Sequence, residues 1–261
     1  MNRLSAFIKR NFLEMLRDPV LYVFCVGFPV VLIAMFAVIN SFTDGNTPVF
    51  EPSSLIPGIV VFSYTFVMLT ESLLVSKDRK SAFIVRLYAS PMKTREFVAG
   101  YAVPCLIAGI AQAFACIIAG WITSLIAGAE YFSFARALLL VAVTLPSLIT
   151  FVFLGIFIGS ALNDKAAPGI CSVFISAAGV LGGAWMPLET MGSFETFCRF
   201  LPFYPPVDVG RAITGAKDVF GVIYRFDSTT ATGFIAIAVY LAVSAALAVF
   251  VFGKKSSAEI K

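Results

Sequence analysis

The chain of 261 residues contains no histidine. Imidazole acid–base catalysis and His-ligated metal are therefore excluded, and with them the Ser/His proteases that work inside membranes. Charge is also scarce: 13% of residues are Asp, Glu, Lys or Arg, against 59% hydrophobic, where a soluble domain is usually about 45–50% apolar. The composition describes an integral membrane protein. Asp18, Asp44, Asp78, Asp164, Asp208, Asp218 and Asp227 form no pair inside an apolar run and match no metal-binding spacing. Of the five cysteines, Cys25, Cys105, Cys116 and Cys171 stand in apolar runs and Cys198 outside them, with no C-x-x-C spacing. They read as small buried hydrophobes. A P-loop is missing too. "FGKKSS" resembles its end, but Ala248 stands where the first glycine is needed and the match falls on an apolar run rather than a strand-to-helix turn. Any ATP hydrolysis is expected on another polypeptide.

Six apolar runs are present, at about residues 20–39, 55–75, 98–126, 136–162, 168–186 and 231–252. Each approaches the roughly 20 residues that a bilayer-crossing helix needs. Their middles are almost free of charge, as expected when one central Lys or Arg costs about 2.5–3.5 kcal/mol and each apolar residue returns only about 0.3–0.6. The reading is an all-α membrane protein with six transmembrane helices in a single transmembrane domain over 1–261, its first 19 residues forming an interfacial helix. The first run ends in "INSFTDG" rather than a small-residue cleavage site, so it is expected to stay as an anchor. Fourteen Lys and Arg lie in the N-terminal segment, the second and fourth loops and the C-terminal segment, against five in the other loops. The positive-inside rule then puts both termini in the cytoplasm. The net charge of +4 comes from these clusters, so membrane lipids are expected partners and nucleic acid is not.

The largest basic cluster is the second loop, "SKDRKSAFIVRLYASPMKTREF". Phe83, Ile84, Leu87 and Tyr88 recur at helical spacing, with Lys80 and Arg86 beside them and "SP" as a stop. A short amphipathic helix is predicted there. It either lies on lipid or enters a groove on a partner, with the arginines setting the approach. The N-terminus repeats the pattern: Leu4, Phe7, Ile8, Phe12, Met15 and Leu16 share one helical face, Lys9, Arg10, Glu14 and Arg17 the other, and "RDP" ends the helix.

The order of these parts, with a fifth run ending "GGAWMPLETM" and followed by "FETFCRFLPFYPPVDVGRAITG", resembles the type-2 ABC exporter permease family over nearly the whole chain. The resemblance implies that Arg79, Lys80, Phe83, Ile84, Arg86, Leu87 and Tyr88 form the coupling helix that rests on an ATPase subunit. It implies that Phe7, Lys9, Arg10 and Arg17 belong to the connecting helix beside it, and that residues 194–214 form two short re-entrant helices between spans five and six. The expected function is the permease subunit of an ATP-driven exporter of an amphipathic drug, lipid or lipid-linked compound. No cofactor is expected on this chain, ATP and magnesium being held by the partner ATPase. Two ATPase copies and a second permease copy, as a homodimer or a heterodimer, are the expected partners, in a plasma membrane of bacterial inner-membrane type.

Tyr64, Phe66, Thr70 and Glu71 near the inner end of the second span, with Trp185 and Met186 at the outer end of the fifth, are candidates for the substrate path. An intramembrane carboxylate such as Glu71 is a functional candidate by default, although at a span's edge it could also sit near water. Gly179, Gly182 and Gly183 weaken the fifth span, and a break near the outer surface is expected. Ser172, Ser176, Gly179 and Gly183 would give it a small-residue face, matched by Gly155 and Gly159 in the fourth span. Two other classes remain open: an ion-coupled secondary carrier, weakened by the absence of midspan charge though backbone carbonyls can still bind an ion, and a non-transporting membrane scaffold.

Overall fold

The computed structural model describes residues 3–19, 21–43, 47–81, 92–128, 130–226 and 228–258. Among them the chain is helical, with no strand beyond an isolated bridge between Lys217 and Ile223. The elements are α1 (Arg3–Arg17), α2 (Phe28–Phe42, entered through a π-helical stretch Leu21–Gly27), α3 (Pro52–Lys80), α4 (Thr94–Ala127), α5 (Phe134–Ala161), α6 (Ala167–Leu181), α7 (Ser193–Cys198), α8 (Tyr204–Thr214) and α9 (Ser228–Ala258). Among the described residues, five helical stretches are long and apolar enough to cross a membrane: Leu21–Phe42, α3, α4, α5 and Thr230–Lys254. This is an all-α membrane protein.

The core is built around α3, the most buried of these helices, which packs on α5, α4, α6 and α8. Close approach to α5 follows from glycine. A Cβ at Gly155 would meet the Met68 carbonyl at 2.7 Å, and one at Gly159 the Ser72 carbonyl at 2.6 Å. The two glycines of the fourth span thus serve the tight contact expected of them. α9 lies along α5. With 29 and 34 residues, α3 and α4 extend about 44 and 51 Å at 1.5 Å per residue, well beyond a hydrocarbon core of about 30 Å. Their surplus holds Lys77, Arg79 and Lys80 at the end of α3 and Arg95 at the start of α4.

The fifth apolar run departs from its expected length. α6 has 15 residues, about 22 Å, and ends at Leu181 instead of continuing to Met186. Gly183 then takes φ +60°, a left-handed conformation that only glycine adopts without cost, and the chain turns back into the bundle. The small-residue face also splits. Cys171, Ala178 and Gly179 are buried, whereas Ser172 and Ser176 are exposed. The segment expected to hold two short helices does so as α7 and α8. α8 is buried against α3, α5 and α9, while α7 exposes Phe194 and Phe197.

Candidate functional site

The end of α3 is tied to several other elements by side-chain contacts. Four successive residues there, Lys77 to Lys80, reach four different neighbours. Lys77 Nζ pairs with Asp18 at the end of α1 at 3.2 Å. Asp78 accepts a bidentate pair from the Arg10 guanidinium of α1, with Arg10 Nη2 at 2.8 Å from Oδ1, and the Tyr101 hydroxyl of α4 donates to its Oδ2 at 2.8 Å. Arg79 Nη1 donates to the carbonyls of Gly159, Ser160 and Leu162, capping the carbonyl end of α5 with a positive charge. Lys80 Nζ reaches Asp164 in the turn between α5 and α6 at 2.9 Å.

α1 is seated by the same junction. Phe7, Asn11 and Met15, spaced one turn apart, are its buried stripe. The Phe7 ring meets Tyr101 edge-on at 5.0 Å and Phe97 at 6.0 Å, against an aromatic wall completed by Phe252 of α9. A Cβ at Gly100 would come within 2.2 Å of that ring, so the contact needs glycine. Asn11 Nδ2 donates to the Gly100 carbonyl at 3.0 Å. Part of the apolar face assigned from periodicity is therefore inside the protein, while Leu16 of that face remains exposed. Lys9 and Arg17 are exposed.

Electrostatics favour the charged forms of Arg10 and Asp164. Burial works against the Arg10 cation, but hydrogen bonding and charge from Asp78, with Glu14 adding, hold it above its ordinary value. The hydrogen bond from Lys80 keeps the Asp164 carboxyl below the usual carboxylate range.

Of the predicted coupling residues, Arg79 and Lys80 turn their charges inward, onto α5 and the α5–α6 turn. Phe83, Ile84, Arg86, Leu87 and Tyr88 lie outside the described residues. The path candidates separate into groups. Phe66 and Trp185 join one aromatic cluster through Phe62, with ring centroids 5.3 and 4.9 Å from it, and Phe24, Phe28 and Phe36 extend the cluster onto α2 and the stretch before it. Beside it runs an apolar groove of about 490 Å³ lined by Tyr22, Phe24, Phe28 and Val31. Met186 is half-buried. Tyr64 faces α5 instead, its hydroxyl 2.9 Å from Thr144, and the Thr70 hydroxyl donates to the Phe66 carbonyl. Glu71 is fully buried rather than at a wet edge. Cys105 donates to its Oε2, and its Oε1 has no hydrogen-bond partner among the described residues.

Sequence reasoning passed over Asp78, Tyr101, Asn11 and Asp164. Two of these left a trace: Asn11 is a polar residue in register with Phe7 and Met15, and Asp78 is a lone acid inside a basic run at the end of a span. At the opposite end it also passed over Arg211. That side chain, 1% exposed, donates to the Gly183 carbonyl at 2.7 Å and the Ser54 carbonyl at 3.2 Å and pairs with Glu189 at 3.6 Å. It fixes α8 to the start of α3 and to the α6 break.

These features define a multi-pass, all-α membrane protein whose N-terminal amphipathic helix and longest spans converge on one basic junction. The chain belongs to the ABC-2 type transporter family, whose sequence profile matches residues 2–214. It is accordingly the membrane-spanning permease component of an ABC transporter, and membership implies an ABC ATPase as partner. No curated protein matches the chain.

Proposed function

We propose that this permease serves an ATP-driven exporter, two permease copies working with two ATPase subunits, and that the basic junction lies in the cytoplasm. The amphipathic segment carrying Phe83, Ile84, Leu87 and Tyr88 docks in a cleft of the ATPase. Closure of the ATPase pair on ATP displaces that segment, and the displacement enters the membrane domain at Lys77 to Lys80. The observation that carries this reading is the fan of contacts from four consecutive side chains to α1, α4, α5 and the α5–α6 turn. A push delivered at one point reaches four elements at once.

The cargo in this reading is an amphipathic drug, lipid or lipid-linked compound. Its route runs along the aromatic cluster of Phe62, Phe66 and Trp185, with a second copy closing the exposed face of α2. Most of Leu21–Phe42 is exposed within one chain, and this reading assigns that face to the second copy. The test is reconstitution in liposomes with the partner ATPase. Outward movement of a fluorescent amphiphile that requires ATP and both proteins is the expected result; movement driven by an ion gradient through the permease alone would overturn it.

A further inference from the structure

At the end of the bundle opposite the basic junction, a polar cavity of about 440 Å³ opens between the end of α2, the start of α3, the α4–α5 loop and the end of α8. Four ionic side chains line it, Glu51, Glu130, Arg136 and Lys217, two of each sign. None forms an ion pair with a described residue, although opposite charges share one cavity. Arg136 Nη1 spends one donor on the Thr214 carbonyl at 3.3 Å, and the buried Oδ1 of Asn40, on the same wall, has no hydrogen-bond partner among the described residues. Tyr131 is shared with a second, apolar cavity of about 250 Å³ formed by Ile118, Trp121, Ile122 and Leu125 of α4. These four occupy one face of α4 and extend about 10 Å along it. Ile118, Ile122 and Leu125 are 51, 53 and 76% exposed, as befits a face turned to lipid tails. Trp121 lines the apolar cavity and is braced by Phe134 and by Phe132, which lines the polar one; with Tyr131 these rings are of the kind that gathers at the headgroup region.

We infer that the two cavities form one site for a glycerophospholipid whose headgroup carries both a phosphate and a primary ammonium. The phosphate takes charge-assisted hydrogen bonds from Arg136 and Lys217, and the ammonium donates to Glu51 and Glu130. One acyl chain follows the groove past Trp121. The charge pattern selects the class. An anionic headgroup leaves both carboxylates facing negative charge, and a quaternary ammonium has no N–H for them to accept. The site requires only the membrane fold, so it stands or falls separately from the coupling mechanism.

The probe is quenching of Trp121 emission by lipids brominated on the acyl chain. The full chain carrying Trp185→Phe, so that Trp121 is the sole tryptophan, is placed in phosphatidylcholine nanodiscs doped with brominated phosphatidylethanolamine, phosphatidylglycerol or phosphatidylcholine. Half-maximal quenching is expected at an effective mole fraction roughly tenfold lower for phosphatidylethanolamine, about the size of one charge-assisted hydrogen bond. Adding Glu130→Gln and Arg136→Gln should erase that preference. Equal quenching by all three lipids, or preference for phosphatidylglycerol, overturns the assignment. Should the charge-pair variant fail to insert, the headgroup comparison on the Trp185→Phe chain still decides. Native mass spectrometry of the unsubstituted chain, scored for selective retention of phosphatidylethanolamine, decides without any substitution.

Discussion

Asp78 and Lys80 are two positions apart, yet their ion pairs differ in kind. The Asp78 side chain is 4% exposed and takes three hydrogen bonds from Arg10 and Tyr101. Lys80 is 67% exposed and holds one carboxylate. Hydrogen bonds to charged groups contribute about 1.5–3 kcal/mol each when shielded, and exposed pairs about 0–1 kcal/mol. Asp78→Asn should therefore lower the unfolding free energy by about 2–3 kcal/mol, allowing for the part-exposed Arg10, and Lys80→Gln by less than about 1 kcal/mol. Thermal unfolding in detergent, repeated at low and high salt, checks both. Salt should erase the Lys80 effect, because screening at 1 M reaches within about 3 Å, and should leave the Asp78 effect in place. Arg211→Gln is expected to be more severe still, about 3–5 kcal/mol, because it strands Glu189 beside an uncharged neighbour in a buried site. Equal melting temperatures for Arg211→Gln and the parent would contradict the assigned role.

Whole elements show where sequence was informative. Among the described residues, five of the six apolar runs are helical to within a residue of their expected ends, because hydropathy reports directly on the cost of placing a side chain in hydrocarbon. The fifth was misjudged at its end. Hydropathy does not register backbone conformation, and Ala184 to Met186 stay apolar after the helix has stopped at the Gly182–Gly183 pair. The junction was legible only in part. A basic loop is visible in composition, but its partners Arg10, Tyr101 and Asp164 lie 68, 23 and 84 residues from the groups they hold, and only the fold brings them together. Periodicity gave α1 an apolar face but could not tell lipid from protein as its cover. The seating of α1 on α4 yields a direct test. Gly100→Ala drives a methyl group into the Phe7 ring, an overpacking that costs about 1–3 kcal/mol. Protease cleavage within residues 3–17 should become faster in the Gly100→Ala chain and faster again in Phe7→Ala, which deletes the seated ring, and the double variant should fall short of the sum of the two effects because both act on one contact. Unchanged cleavage would mean that α1 is held by something other than this contact.

For the molecule as a whole, docking of the ATPase and transmission of its movement are separable, and two lesions tell them apart. Replacing Phe83 and Leu87 by Asp puts charge on the apolar face predicted for the loop, so the ATPase should no longer co-purify while the spans still insert. Asp78→Asn leaves that face untouched, breaks the Arg10 and Tyr101 contacts to the end of α3, and leaves the exposed Lys77–Asp18 pair as the charge contact to α1. The ATPase should then remain bound and hydrolyse ATP, while amphiphile export per ATP falls several-fold, because displacement at the loop now reaches α5 and the α5–α6 turn through Arg79 and Lys80 but no longer reaches α1 and α4 through Asp78. The paired measurement is co-purified ATPase activity against export in the same proteoliposomes. If Asp78→Asn instead loses the ATPase along with export, the junction is part of the docking surface. If it changes neither, force travels by another route. Either result would move the coupling point away from Lys77 to Lys80, whereas export lost with hydrolysis retained fixes it there.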